Sequence, residues 1–148
     1  SKSVEELKTI VSWAERPFII KGVMTARGAE KALEAGASGI VVSNHGGRVL
    51  DHCPATAEVL PEIADAVGGK MTIFVDGAVR SGMDMFKALA LGADAVLIGR
   101  PFVTAVYGGG EEGVQCYVQK LKAELADTMR MCGAHSLAEI DRSMIYHG

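Results

Sequence analysis

The sequence contains no apolar run that approaches the roughly 20 residues of a membrane-spanning helix, so no membrane span is expected. It also lacks a basic excess, because 15 lysines and arginines stand against 18 acidic residues and the formal net charge is −3. Proteins that bind polyanions usually carry a positive excess, which argues against nucleic acid as a partner. The first eight residues hold two acids and two lysines, which is not the pattern of a secretory signal peptide.

Cysteine is scarce, and its spacing excludes two further classes of protein. Cys53, Cys116 and Cys132 form neither a CxxC motif nor an even set, so a disulfide-stabilised secreted scaffold is not expected. The three thiols are interpreted as small buried hydrophobic residues in a reducing compartment, which predicts a cytoplasmic protein. No group of residues in the sequence predicts a metal site.

Glycine, in contrast, is abundant: 18 of the 148 residues, against roughly 7% in average proteins. It follows no triplet period, which excludes collagen, and it is expected at turns where the backbone bends sharply. With 49% hydrophobic and 22% charged residues, the composition is globular, and the length is that of one domain over residues 1–148.

Short apolar runs alternate with helical patterns along the chain. The runs are nearly all apolar and end at glycine-rich turns, as expected for strands buried on both faces of a parallel sheet. The predicted strands are Phe18–Ile20, Gly39–Ser43, Thr72–Asp76 and Ala95–Gly99. The predicted helices are Ser1–Trp13, Gly28–Ala35, Ala55–Val67, Met83–Leu91, Glu111–Met131 and a short one over Ser136–Arg142, before a tail over Met144–Gly148.

The chain also repeats itself. Residues 18–43 align without a gap onto residues 74–99, and 7 of the 26 pairs are identical. The common core is Lys-Ala-Leu-x-x-Gly-Ala followed by a strand, in which glycine is predicted to end the helix. Helix–glycine–strand sequences also recur by chance in α/β proteins, but the ungapped register favours two related βαβα units.

Four β/α units amount to half of an eight-stranded barrel, and a complete barrel needs roughly 200 residues or more. An open four-stranded sheet is the alternative, but its edges would need covering and no segment is spare for that task. The predicted fold is therefore α/β, a (β/α)4 half-barrel of the TIM-barrel (β/α)8 type. In such a fold the active site lies at the carboxyl ends of the strands.

The segment after the second predicted strand, Ser43–Arg48, lies at that edge. His45 offers a proton acceptor that titrates near neutral pH, and Arg48 offers a planar fork for a carboxylate. The pattern predicts a site for a small acid that must lose a proton. The alternative is a turn in which Asn44 and His45 only cap the backbone.

The other strand ends carry an acid and cations. Asp76 and Gly77 follow the third strand and Gly99 the fourth, each with an arginine close behind, Arg80 and Arg100. Because barrels often bind phosphate at two adjacent strand ends, these loops predict a phosphate site. Tight turns with two surface arginines are the alternative. Lys21 closes the first strand and either neutralises an anion in the barrel mouth or extends into solvent.

The order of these motifs resembles the carboxyl-terminal half of one family, the FMN-dependent α-hydroxy-acid oxidases and dehydrogenases, such as glycolate oxidase, lactate oxidase, L-lactate dehydrogenase and flavocytochrome b2. The resemblance covers residues 18–145 and implies strands 5–8 of the family's barrel. The motifs that carry it are Ile20-Lys21-Gly22, Ser43-Asn44-His45-Gly46-Gly47-Arg48, Asp76-Gly77 with Arg80 and Gly82, Lys87-Ala88-Leu89-Ala90-Leu91-Gly92-Ala93, and Ile98-Gly99-Arg100-Pro101.

The resemblance implies FMN as cofactor and a role for each site residue. His45 would take a proton from a small 2-hydroxy acid, and Arg48 would hold its carboxylate. Lys21 would stabilise negative charge at the N1/O2 edge of the flavin. Ser43 would contact the flavin or its ribityl chain and Asp76 would bind ribityl hydroxyls. The phosphate would be held by Gly77, Arg80, Gly99 and Arg100.

The resemblance also marks departures. Ala78 stands where the family commonly has a second glycine, and its methyl group would loosen the phosphate loop. The family's first half supplies two substrate-binding tyrosines, an arginine and an aspartate that orients the histidine, and no counterpart occurs in this sequence. Two functions are therefore expected: oxidation of an L-2-hydroxy acid to the 2-oxo acid, or a catalytically inactive half-barrel that binds FMN or phosphate and self-associates. The 148-residue chain alone is expected to be inactive, and a homo-oligomer or a missing amino-terminal half is expected as its partner.

Overall fold

A computed structural model describes residues 2–146, so the start of the predicted helix Ser1–Trp13 and the end of the predicted tail lie outside the described residues. The helices are α1 (Val4–Ala14), α2 (Ala26–Glu34), α3 (Thr56–Val67), α4 (Gly82–Ala90) and α5 (Arg100–Cys132). The strands are β1 (Ile19–Val23), β2 (Gly39–Val42), β3 (Thr72–Val75) and β4 (Ala95–Val96). Within the described residues, no helix is long and apolar enough to cross a bilayer.

The four strands form one parallel sheet in sequential order, β1-β2-β3-β4, which confirms the predicted topology. β1 continues past the predicted end at Ile20, because Gly22 adopts a φ of +95° and creates a bulge after which Val23 pairs with Val42. β4 is shorter than predicted and ends at Val96. Because β1 extends to Val23, Lys21 lies inside that strand. The carboxyl ends of all four strands meet at one edge of the sheet.

One face of the sheet packs against helices and the other is open. The packed face and the helices share a core of residues that are almost fully buried: Ile40, Val42, Ile73 and Val75 from the sheet, and Leu60, Ile63 and Val67 from α3. On the opposite face Ile19 remains 45% exposed and Leu97, just beyond β4, 40% exposed. The prediction of strands buried on both faces is therefore correct for β2 alone.

The internal repeat has the same geometry in both copies. After α2, the Gly36 N–H donates to Leu33 O at 2.9 Å, and the Ala37 N–H donates to Ala32 O at 3.1 Å. After α4, the equivalent residues Gly92 and Ala93 make the same two bonds at the same lengths. Both glycines have positive φ, so the predicted role of glycine as the helix terminator is confirmed.

The carboxyl-terminal third departs from the prediction. α5 begins at Arg100, eleven residues before the predicted helix start at Glu111, because Pro101 is compatible with a first helical turn. Gly109 and Gly110 have non-helical torsions and divide α5 into residues 100–108 and 111–132. The predicted helix Ser136–Arg142 is wrong: two short 3-10 turns, Leu137–Glu139 and Arg142–Met144, replace it.

The failure of that last helix has a local cause. The Glu139 carboxylate accepts hydrogen bonds from the His135 N–H at 2.9 Å and from the Ser136 hydroxyl at 3.1 Å. The Ser136 hydroxyl does not cap a backbone N–H, so the Ser136–Glu139 spacing, which is that of a capping box, does not start a helix. Asp141 then accepts from the Ser143 N–H at 2.8 Å and starts a separate turn.

Candidate functional site

A cavity of about 440 Å³ opens at the carboxyl edge of the sheet. Small-molecule sites typically measure roughly 300–1,000 Å³. Eight of the nine predicted site residues line this cavity: Lys21, His45, Arg48, Asp76, Gly77, Arg80, Gly99 and Arg100. The ninth, Ser43, is fully buried and accepts a hydrogen bond from Lys21, which does line the cavity. The structure therefore brings every predicted site residue to one place.

Lys21 points into the site and joins two neighbouring strands. Its Nζ donates to Ser43 Oγ at 2.9 Å and also to the Asp76 carboxylate, while its side chain remains 47% exposed. Ser43 Oγ in turn accepts the His45 N–H at 3.2 Å. One oxygen of Asp76, Oδ1, is buried without a hydrogen-bond partner among the described residues. A buried acceptor of this kind is stabilised by a hydroxyl donor from a ligand.

His45 stands on a tight turn that follows β2. The turn is a 3-10 segment, His45–Gly47, in which Asn44 Oδ1 accepts the Gly46 N–H at 3.1 Å. Asn44 therefore caps the backbone as the alternative interpretation held, whereas the His45 ring faces the cavity. That ring packs against the bare backbone of Gly22: a Cβ atom built there would lie 2.7 Å from His45 Cε1. The β1 bulge therefore provides the space that the imidazole occupies.

Two arginines define a cationic corner of the cavity. Among the described residues, neither Arg80 nor Arg100 is within salt-bridge distance of a carboxylate. The Arg100 guanidinium lies over the turn after β2, since a Cβ atom at Gly46 would be 2.8 Å from its Nη2. The two charges are thus free to bind an anion, and Arg100 also contacts the segment that carries His45.

The amino terminus of α4 borders this corner. Ser81 caps the helix, and the Asp84 carboxylate accepts from the N–H groups of Arg80 and Ser81, each at 3.0 Å. Burial raises the pKa of Asp84, but hydrogen bonds from the Ser81 hydroxyl and these two N–H groups outweigh it and hold the pKa below its usual value. Asp84 therefore stays ionised and fixes the backbone that follows β3.

Ala78 has the left-handed backbone conformation, with a φ of +58°. An L-residue is strained there by roughly 1–2 kcal/mol, a cost that the glycine more common in the resembling family avoids. The preceding turn is held by Thr56, whose hydroxyl donates to the Asp76 carbonyl at 2.6 Å. No pattern in the sequence pointed to Thr56, nor to Tyr117, whose hydroxyl donates to the Arg80 carbonyl at 2.9 Å.

Fold and site together define a class of protein. Four parallel β/α units with a histidine–arginine pair and a cationic corner at the carboxyl edge make a half-barrel of the (β/α)8 type. The chain belongs to the FMN-dependent dehydrogenase family, whose model matches residues 1–147. The resemblance that the motifs indicate is thereby confirmed.

Relatives and solved structures agree with this assignment. A peroxisomal (S)-2-hydroxy-acid oxidase of Oryza sativa subsp. japonica is 46% identical over 144 residues, which are 97% of this chain and 38% of the relative. Glycolate oxidase 3 of Arabidopsis thaliana is 47% identical over 145 residues, 98% of this chain and 39% of the relative. A mandelate oxidase structure with benzoylformic acid superposes with a TM-score of 0.90 at 41% identity, covering 95% of this chain and 42% of that one.

The chain spans about two fifths of the length of these curated relatives. A mandelate oxidase variant with a monooxide FMN adduct superposes with a TM-score of 0.91 over 95% of this chain and 45% of that one. The structural neighbours are TIM-barrel oxidases, so the predicted fold class is confirmed, and FMN is the cofactor of the family.

The residues of this chain fit that cofactor. A phosphate requires positive charge and N–H donors, and Arg80 and Arg100 supply guanidinium groups that lack carboxylate partners within the described part of the chain. A chain of sugar hydroxyls requires acceptors, and Asp76 presents one oxygen without a partner. The polar edge of the flavin ring requires a hydrogen-bond donor, and the Lys21 side chain lines the same cavity.

Proposed function

We propose that this chain carries the FMN site and the proton-accepting base of an enzyme that oxidises a small L-2-hydroxy acid to the 2-oxo acid. One observation carries the proposal: a single cavity collects His45, Arg48 and the cationic corner of Arg80 and Arg100 from three strand ends. The names of the relatives, (S)-2-hydroxy-acid oxidase and glycolate oxidase, support the same reaction class.

The cofactor would be held from several strand ends. Arg80 and Arg100, with the backbone at Gly77 and Gly99, are placed to bind the phosphate. Asp76 and Ser43 would receive the ribityl chain. Lys21 would stand at the flavin ring, where an ammonium group favours added negative charge. When bound, FMN supplies the acceptor for the two electrons that leave the substrate.

The substrate would lie between His45 and Arg48. Arg48 presents a planar fork that matches a carboxylate, and its Nε–H donates to His45 O at 3.5 Å, which links the two residues. His45 would take a proton from the substrate, with its ring held in place by the backbone of Gly22. Both residues stand on one short turn, so their separation is set by local structure.

The 148-residue chain alone is expected to bind FMN without turning over. The phosphate corner needs only residues on adjacent strand ends. The substrate pocket, in contrast, is formed by this chain on one side only, and misplacement of a reacting group by about 1 Å already costs about 10²-fold in rate. Flavin absorbance after gel filtration measures retention, and anaerobic mixing with glycolate, lactate or mandelate measures reduction. Substrate-dependent bleaching at a rate within about tenfold of ordinary enzymes, about 10 s⁻¹, would contradict this expectation.

A second candidate function is a self-associating half-barrel that binds FMN or phosphate and does no chemistry. The open sheet face favours it, because Ile19 and Leu97 are exposed beside the unpaired edges of β1 and β4. Two copies would place β4 of each beside β1 of the other and close eight parallel strands around a twofold axis.

This arrangement predicts a dimer at micromolar concentration. The double substitution Ile19→Asp and Leu97→Asp is expected to shift the chain to the monomer, because it buries two charges in the joined face. Val118→Asp is the control, since Val118 is 44% exposed on α5. Multi-angle light scattering reports the mass, and a well-behaved monomer of the unmodified chain would rule out self-association.

Cytoplasmic location stays a prediction that rests on cysteine usage. The three cysteines form no disulfide. Cys116 and Cys132 are exposed and Cys53 is partly buried, so the interpretation of the three as buried hydrophobic residues is wrong. Two of the relatives are named as peroxisomal proteins.

A further inference from the structure

We propose that Tyr117 is the positioning residue of the phosphate corner, where it holds Arg80 and Arg100 in one arrangement. The inference rests on the proposed function, because it assigns a role toward the phosphate of FMN. Nothing in the strand-end motifs includes Tyr117, which lies on the second segment of α5.

The Tyr117 side chain contacts both arginine-bearing segments, through a backbone carbonyl in one and an aromatic ring in the other. The Tyr117 hydroxyl donates to the carbonyl oxygen of Arg80 itself, at 2.9 Å. The Tyr117 ring packs edge-to-face on Phe102, with ring centroids 5.0 Å apart and an interplanar angle of 74°. Phe102 stands two residues after Arg100, in the first turn of α5. Tyr117 therefore connects the loop after β3 to the first turn of α5.

The course of α5 explains why a residue so far along the chain reaches this corner. The break at Gly109 and Gly110 turns the second segment back along the first. The two segments pack so closely that a Cβ atom at Gly113 would lie 2.2 Å from the Ala105 carbonyl oxygen. Two turns beyond Tyr117, the Glu124 carboxylate accepts the Gly82 N–H at 2.9 Å.

These anchors fix the second segment of α5 against the amino terminus of α4 at two points. Tyr117 binds one residue before the helix cap, and Glu124 binds the first helical residue. Burial raises the pKa of Tyr117, so its hydroxyl keeps its proton and remains a donor at neutral pH. The backbone that carries Arg80 is thus held from α5.

Tyr117 also lines a cavity together with both arginines. A second cavity, of about 650 Å³, lies between the two segments of α5, and its lining includes Arg80, Arg100 and Tyr117. The contacts of Tyr117 with the Arg80 carbonyl and the Phe102 ring favour one relative position of the two arginine-bearing segments.

The test compares FMN with riboflavin, which lacks the phosphate. Tyr117→Phe removes only the hydroxyl and is expected to weaken FMN binding by about 3–10-fold, the effect of one lost hydrogen bond, with riboflavin affinity unchanged. Tyr117→Leu also removes the ring and is expected to weaken FMN binding by about 10–100-fold. Flavin fluorescence titration of the 148-residue chain measures the affinities for FMN and for riboflavin. Titration with inorganic phosphate measures binding at the phosphate corner without a flavin.

Tyr107→Phe is the matched control, because Tyr107 lies on the same helix and is 90% exposed. It is expected to change neither affinity. A role in stability alone would shift riboflavin and FMN affinities together, so an equal loss of both in Tyr117→Phe would overturn the inference, as would an unchanged preference for FMN. If the unmodified chain binds FMN and riboflavin equally and no phosphate, the proposed phosphate site fails, and the inference with it.

Should Tyr117→Leu not fold, Phe102→Leu approaches the same contact from the other side. It removes the ring that Tyr117 packs against and leaves the hydroxyl bond to Arg80 in place. We expect it to weaken FMN binding by about 3–10-fold with no change for riboflavin, the effect of one lost aromatic pair. An unchanged ratio of the two affinities in a folded Phe102→Leu chain would count against the inference.

Discussion

Replacing Arg80 and Arg100 together with glutamine is expected to lower the affinity of the chain for FMN by about 10²–10⁴-fold. Each hydrogen-bonded charge contributes roughly 1.5–3 kcal/mol, and about 1.4 kcal/mol corresponds to a factor of ten in the dissociation constant. Neither arginine makes an ion pair within the described part of the chain, so the substitutions break no internal contact of that kind. We therefore expect folding stability to change little, within about 0.5 kcal/mol per site.

The matched control is Arg16→Gln with Lys70→Gln. This pair removes the same two positive charges, but Arg16 and Lys70 precede strands β1 and β3 and so lie at the opposite edge of the sheet. Isothermal titration with FMN and with inorganic phosphate distinguishes local binding from a general loss of positive charge. A loss of less than about tenfold in the site variant, or an equal loss in the control, would contradict the assignment of the corner.

The order of the strands and the position of the site could be predicted because both depend on local patterns. Each strand is a short apolar run that ends at a glycine turn, and a parallel topology then places all the turns at one edge. The repeat around Gly36 and Gly92 fixed two helix ends, and identical hydrogen bonds confirm it. Residues that follow strands were therefore correctly grouped without knowledge of any contact.

Features that depend on contacts between distant segments could not be predicted. β1 was expected to end at Ile20, because a bulge at Gly22 is visible only once Val23 pairs with β2. Tyr117 lies within the predicted helix Glu111–Met131, and its hydroxyl reaches the Arg80 carbonyl, 37 residues away in the chain. Thr56 likewise bonds across 20 residues. Residues that support a site have ordinary local patterns, and only the fold gives them a partner.

Near the end of the chain, local hydrogen bonds and one distant contact together replace the predicted helix. The Ser136–Glu139 spacing predicts a capping box, but a box stabilises a helix only where a following stripe packs on a core. After Ser136 the chain instead makes two turns, and Arg142 donates to the Asp65 carboxylate on α3 at 2.9 Å. That contact ends the segment against α3 and leaves no length for a helix.

His45→Ala is expected to lower kcat for 2-hydroxy-acid oxidation by about 10²–10⁴-fold, the usual effect of removing a general base. FMN retention is expected to stay unchanged, because the phosphate corner and the Lys21–Asp76 pair do not depend on the imidazole. Steady-state kinetics require the complete pocket. A chimera in which this chain replaces the matched 144 residues of the rice (S)-2-hydroxy-acid oxidase provides it.

His52→Ala provides the control for this substitution, because His52 lies seven residues further on with its side chain 95% exposed. Arg48→Lys distinguishes substrate binding from proton removal. An ammonium group cannot make the bidentate contact of a guanidinium with a carboxylate, so KM should rise more than kcat falls. The Gly22 contact with the His45 ring explains why the two effects should separate, since β1 contacts the imidazole itself whereas Arg48 donates to the His45 backbone carbonyl. If His45→Ala kept kcat within about tenfold of the parent chimera, His45 would not be the base, and proton removal would have to involve another group in the cavity.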